Sequence, residues 1–77
     1  MMERLAGLFS ETLGRPMPPL AEKTAFADLP GWDSVAHLAL LLAVERAFGV
    51  AFASAEMVSM RTVGEMAAVL RGKGVAP

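Results

Sequence analysis

Apolar and polar positions along the chain alternate at helical spacing in three stretches, and the breaks between them are filled with turn-forming residues. Leu5, Leu8, Phe9 and Leu13 recur three and four residues apart, with Glu3, Arg4, Ser10 and Glu11 between them. This predicts an amphipathic first helix over about residues 2 to 13, closed by Gly14 and by Pro16 just beyond. From Arg15 to Trp32 no period is sustained, and prolines at 16, 18, 19 and 30 exclude a continuous helix. A connection this long in a small domain needs pinning, and Phe26 and Leu29 are the residues expected to fold back onto the core through a short turn.

The central helix is expected to start at Ser34, with Pro30-Gly31 as the turn before it and Asp33 as its N-cap. On a wheel of about 100° per residue, Leu40, Leu41, Val44, Ala47 and Phe48 form a core-facing stripe. Glu45 and Arg46 are then expected to point to solvent, and Val35, Leu38 and Leu42 lie on their side, below Ser34. Such a strip is either a partner surface or a contact with another helix of the same chain.

Gly49 suits a left-handed C-cap, and Val50-Ala51-Phe52 reads as a short extended link with Phe52 turned inward. Ser54 is expected to cap a brief third helix through Glu56, Met57, Val58 and Met60, too short to stand alone. The last three cannot all face inward, so Val58 or Met57 should reach the surface near the apolar strip. Thr62-Val63-Gly64-Glu65 has the form of a capping box, and Val63, Met66, Ala67 and Leu70 give the helix behind it one apolar face. Gly72-Lys73-Gly74 ends that helix, and the tail from about residue 72 is expected to fray. The pattern predicts an all-α fold: a small four-helix bundle, three helices longer and one short, with a long first loop, as a single domain over residues 1–77.

Composition narrows the possible chemistry. The chain of 77 residues has no cysteine, so disulfides and thiolate metal sites are excluded, and one histidine argues against structural zinc. A formal net charge of −1 with scattered basic residues gives no electrostatic reason to bind nucleic acid or an anionic membrane. The apolar run over residues 38–44 is far short of the roughly 20 residues that span a bilayer. The N-terminal residues lack a secretory pattern. The chain therefore reads as a cytoplasmic, soluble domain, and its 55% hydrophobic content leaves apolar surface to account for.

Asp33-Ser34 followed by an aliphatic residue, then an apolar helix ending in Glu45-Arg46-Ala47-Phe48-Gly49-Val50, resembles the acyl carrier proteins. The Phe26-to-Leu29 segment before the serine and the order of the helices extend the resemblance over roughly residues 3 to 71. It implies an acyl-carrier-like bundle in which Ser34 bears 4′-phosphopantetheine through a phosphodiester, with Asp33 as motif residue and N-cap. The arm's thiol would hold acyl or aminoacyl groups as thioesters for a fatty-acid, polyketide or related pathway. A phosphopantetheinyl transferase, an acyl-loading ligase or transferase, and downstream biosynthetic enzymes are the implied partners. Val35, Leu38, Leu42, Glu45, Met57 and Val58 are the expected docking residues. A helix N-terminus suits an attached phosphate, although Asp and Ser at that place also serve as plain caps.

Two departures from the family stand out. Many carriers have a strongly acidic central helix, whereas here Glu45 alone carries negative charge beside Ala36, Ala39 and Arg46. Docking is therefore expected to rest on apolar burial more than on steering and to vary little with salt. Val35 also stands where leucine is commoner, which favours a dedicated pathway partner over general fatty-acid enzymes.

Other roles for the same residues are weaker. Asp33, Ser34 and His37 superficially supply a hydrolase, but neighbours on one helix start cannot provide base, orienter and oxyanion hole in the needed directions, so no enzyme is expected. His37 is expected to pack or hydrogen-bond beneath the loop. Trp32 is read as a lid on the core, with partner anchoring as the alternative. The competing functional class is an unmodified interaction module of the same fold that uses the Val35, Leu38 and Leu42 strip.

Overall fold

The computed structural model describes residues 1–75. Four helices form: α1 (Met2–Leu13), α2 (Ser34–Phe48), α3 (Ser54–Ser59) and α4 (Val63–Gly72), with one 3₁₀ turn at Phe26–Asp28 in the first loop. The all-α fold and the expected order of elements are as the hydrophobic pattern indicated.

The core is made from one face of each long helix. Leu5 and Phe9 of α1, Leu40, Leu41 and Val44 of α2, and Val63, Met66, Ala67 and Leu70 of α4 are buried, joined by Phe26, Leu29, Phe52 and Met60 from the connections. Fully burying a side chain of this size stabilises by about 1.5–3 kcal/mol. Phe48 and Ala47, at the edge of the α2 stripe, are only half-buried. Arg4 of α1 closes that end: its guanidinium donates to Ala47 O at 2.6 Å and lies 4.3 Å from the centre of the Phe48 ring. A cation satisfies the last carbonyls of a helix and complements its dipole there.

The long loop is pinned by backbone bonds as well as by Phe26 and Leu29. Phe26 N–H donates to Arg61 O at 2.9 Å, Val63 N–H to Thr24 O at 3.0 Å and Gly64 N–H to Glu22 O at 2.9 Å. An isolated antiparallel bridge pairs Ala25 with Thr62. The loop thus consumes the first free amides of α4. The approach is close: a Cβ on Gly64 would sit 2.8 Å from the Glu22 carbonyl oxygen.

Four local expectations need correction. Glu45 does not project into solvent; Gly49, at φ 67°, reverses the chain so that Phe52 N–H donates to Glu45 Oε2 at 2.7 Å. Ser54 is the first residue of α3 and not its cap. Ala53 holds the cap position, and Glu56 Oε1 accepts from the Ala53 N–H at 2.8 Å. At α4 the cap is as expected, with Thr62 Oγ1 accepting from Glu65 N–H at 3.1 Å, but Glu65 Oε1 takes its bond from Arg61 N–H, one residue earlier than in a regular capping box. Of the tail expected to fray, the described part is tied back: Val75 N–H donates to Leu70 O at 3.0 Å and Lys73 Nζ meets Glu56 Oε1 at 2.8 Å. The rest of that tail lies outside the described residues.

Candidate functional site

The start of α2 is built by a short chain of causes. Gly31, at φ 74°, turns the chain, and Asp33 in extended conformation (φ −154°) places its carboxylate to accept from Ala36 N–H at 2.7 Å. Helix geometry leaves the first amides of a helix without intrahelical partners. His37 N–H is the first to find one, on Asp33 O at 2.9 Å. Among the described residues the amides of Ser34 and Val35 have no protein acceptor. The Ser34 side chain is exposed beside them. An exposed hydroxyl thus stands at a positively polarised, unblocked helix end.

Below Ser34 lies an open cleft of about 600 Å³ between the 3₁₀ turn, α2 and α3. Phe26, Leu41 and Met60 make its buried floor, Trp32 and His37 one wall, and Met57 and Val58 the other. Trp32 stacks on Phe26 with ring centres 5.3 Å apart, and His37 stands edge-on to Trp32 at 5.3 Å. His37 Nε2 donates to Met57 O at 3.2 Å, which links α2 to α3. Trp32 is thus the lid that the sequence suggested, and His37 packs beneath the loop. The Asp33 carboxylate accepts from Ala36 N–H and His37 Nε2 donates to Met57 O, so neither of these bonds is made to Ser34.

Leu38, 54% exposed, and Val58, 79%, line the cleft, and Val35, 77%, and Leu42, 41%, continue the exposed strip along α2, so no other helix among the described residues covers it. Of the pair Met57 and Val58, it is Val58 that reaches the surface; Met57 is half-buried and packs against the core. Glu45 sits at the edge of the strip but is held by Phe52.

A family model described as the phosphopantetheine attachment site matches residues 3–70. The chain belongs to the phosphopantetheine-attachment family. It is similar to the solution NMR structure of a holo acyl carrier protein from Geobacter metallireducens, with a TM-score of 0.84 at 25% identity over 94% of this chain and 83% of that one. None of the curated proteins compared with it matches. The chain is accordingly an acyl carrier with covalently attached 4′-phosphopantetheine, serving biosynthetic enzymes and catalysing nothing itself.

Two features of this carrier were not read from the sequence. Leu41 was assigned to the core alone, yet it also floors the cleft, and Arg61 lies on the cleft's rim. No periodicity marks Arg61, because it falls in the link between α3 and α4; its place before the Thr62 cap was the one available signal.

Proposed function

We propose that Ser34 is the attachment residue of this carrier and that Val35, Leu38, Leu42 and Val58 form the surface on which its partner enzymes dock. The observation that supports this reading is the exposed Ser34 hydroxyl at a helix start whose first two amides are unclaimed, ringed by uncovered apolar side chains. The residues fit the group. Ser34 Oγ is open to a transferase, the Ser34 and Val35 amides and the helix dipole favour a phosphate there, and the Asp33 carboxylate is committed to Ala36 N–H. When bound, the arm supplies a terminal thiol that holds an acyl group as a thioester.

The rest of the work falls to the chain itself. Asp33 fixes the first turn, so Ser34 is held in one place while a partner closes on the strip. Val35, Leu38, Leu42 and Val58 supply apolar area for that contact. Glu45 and Met57 are left out of the docking set, Glu45 because of its bond to Phe52 and Met57 because of its packing. The partners in this reading are a phosphopantetheinyl transferase using coenzyme A, an acyl-loading ligase or transferase, and downstream enzymes of one dedicated pathway, working in the cytoplasm. No helix among the described residues is long and apolar enough to cross a membrane.

Intact mass after incubation with coenzyme A and a broad-specificity transferase tests the assignment. The native chain should gain one phosphopantetheine and Ser34→Ala none. An adduct on Ser34→Ala would move the attachment elsewhere, and no adduct on either form with several transferases would favour an unmodified interaction module.

A further inference from the structure

The prolines of the first loop have no part in the Ser34 site. Arg15-Pro16-Met17-Pro18-Pro19 sets two X-Pro dipeptides, Arg15-Pro16 and Pro18-Pro19, three residues apart. A proline ring fixes its own φ at about −65°, and the residue before a proline is pushed to extended backbone. Every residue of this segment is therefore biased toward the polyproline II helix, which repeats every three residues. Burial follows that period: Met17 and Leu20 are half-buried and pack against the core, whereas Arg15, Pro16, Pro18 and Pro19 are exposed. One edge of the segment is thus seated on the protein, and the two edges that carry both X-Pro dipeptides face outward. Polyproline II also makes no internal hydrogen bonds. Among the described residues, no backbone group of residues 16–20 pairs with another backbone group. Both ends are tied, with Arg15 N–H donating to Ser10 O at 3.2 Å and Ala21 N–H to Thr24 Oγ1 at 2.9 Å. A segment so stiffened and fixed has little conformational freedom left to lose on binding.

We propose that residues 15–19 are a docking segment for a partner protein whose groove is lined by aromatic side chains, a surface separate from the α2 strip. Aromatic rings pack against the exposed proline ridge of a polyproline II segment, and a tryptophan or tyrosine in such a groove donates to its unclaimed carbonyls. The proposal does not rest on Ser34 being the attachment site.

The probe is a set of isolated domains that bind proline-rich ligands, SH3 and WW domains among them, each titrated into the isotope-labelled full chain and followed by its amide shifts. With at least one of them, the shifts should concentrate at Arg15, Met17, Leu20 and Ala21, with Val35, Leu38 and Val58 unmoved. Pro16→Ala/Pro19→Ala, which changes only exposed side chains, should weaken that binding roughly tenfold or more. The single exchanges Pro16→Ala and Pro19→Ala should each weaken it by less, and serve if the double exchange folds poorly. No shift with any of the domains, or shifts centred on the α2 strip, would overturn the proposal. So would a double variant that binds as tightly as the native chain, which would leave the prolines with the stiffening of the loop as their whole role.

Discussion

The first turns of α2 and α4 use the same device for different ends. In each, a side-chain oxygen at the cap accepts from the amide three residues on, Asp33 from Ala36 at 2.7 Å and Thr62 from Glu65 at 3.1 Å. They differ in the next two amides. Those of Val63 and Gly64 donate to Thr24 and Glu22 of the long loop, whereas those of Ser34 and Val35 meet no acceptor among the described residues. One helix start is closed by the chain itself and the other is left open under an exposed serine. A cap residue alone therefore does not distinguish a structural terminus from a displayed one. What distinguishes them is whether the rest of the first turn is covered.

Substitutions at matching positions test this contrast, and the largest effect belongs to the closed end. Gly64→Ala drives a methyl group against the Glu22 carbonyl, so chemical denaturation should show a loss of about 2–3 kcal/mol. Val35→Ala, at the equivalent position of α2, should stay within about 0.5 kcal/mol. Equal costs at the two sites would erase the difference between them. Next in size come the caps: Thr62→Ala and Asp33→Ala should each cost about 1 kcal/mol in the same assay, since the bond lost is of one kind.

A smaller effect is expected at the start of α3, where Glu56 is held below its ordinary value of 4.5 by the hydrogen bond from Lys73 and then by that from Ala53 N–H. Because the folded carboxyl binds its proton less readily than the unfolded one, the stability it adds is complete above about pH 4.5 and lost as pH falls through the lowered value. Unfolding curves taken down that range should show the loss in the native chain and a weaker one in Lys73→Met. Least of all, Ser34→Ala should leave thermal stability nearly unchanged while abolishing modification; a large drop in melting temperature would mean that the serine is part of the frame.

Much of this was legible in the sequence because it is local. The Asp33 cap, the left-handed glycines after α1 and α2, and the single apolar face of α4 each depend on residues within a few positions, and a period is enough to find them. The exposure of Val35, Leu38 and Leu42 was a choice between two coverings that the pattern could not make; only the packing of all the helices shows that α3 leaves the strip bare. Glu45 was misread for a related reason. A helical wheel places it outward, but the chain returns after Gly49 and brings an amide to it, a contact across seven residues that no wheel contains. Residue type marks Ser54 as a cap, but the helix begins one residue earlier, with Met57 N–H already bonded to Ala53 O and Glu56 Oε1 accepting from the Ala53 amide. The bridge between Ala25 and Thr62 and the tight seat of Gly64 join segments far apart in the chain, and neither has a signature in either one.

α3 contributes no buried residue of its own. It is moored to α2 through the His37 bond to Met57 O and to the end of α4 through Lys73. Apart from the packing of Met57 against the core, these two polar tethers are what hold the α3 wall of the cleft. Deuterium should therefore enter the backbone of Met57 to Ser59 well before that of Leu40 to Val44.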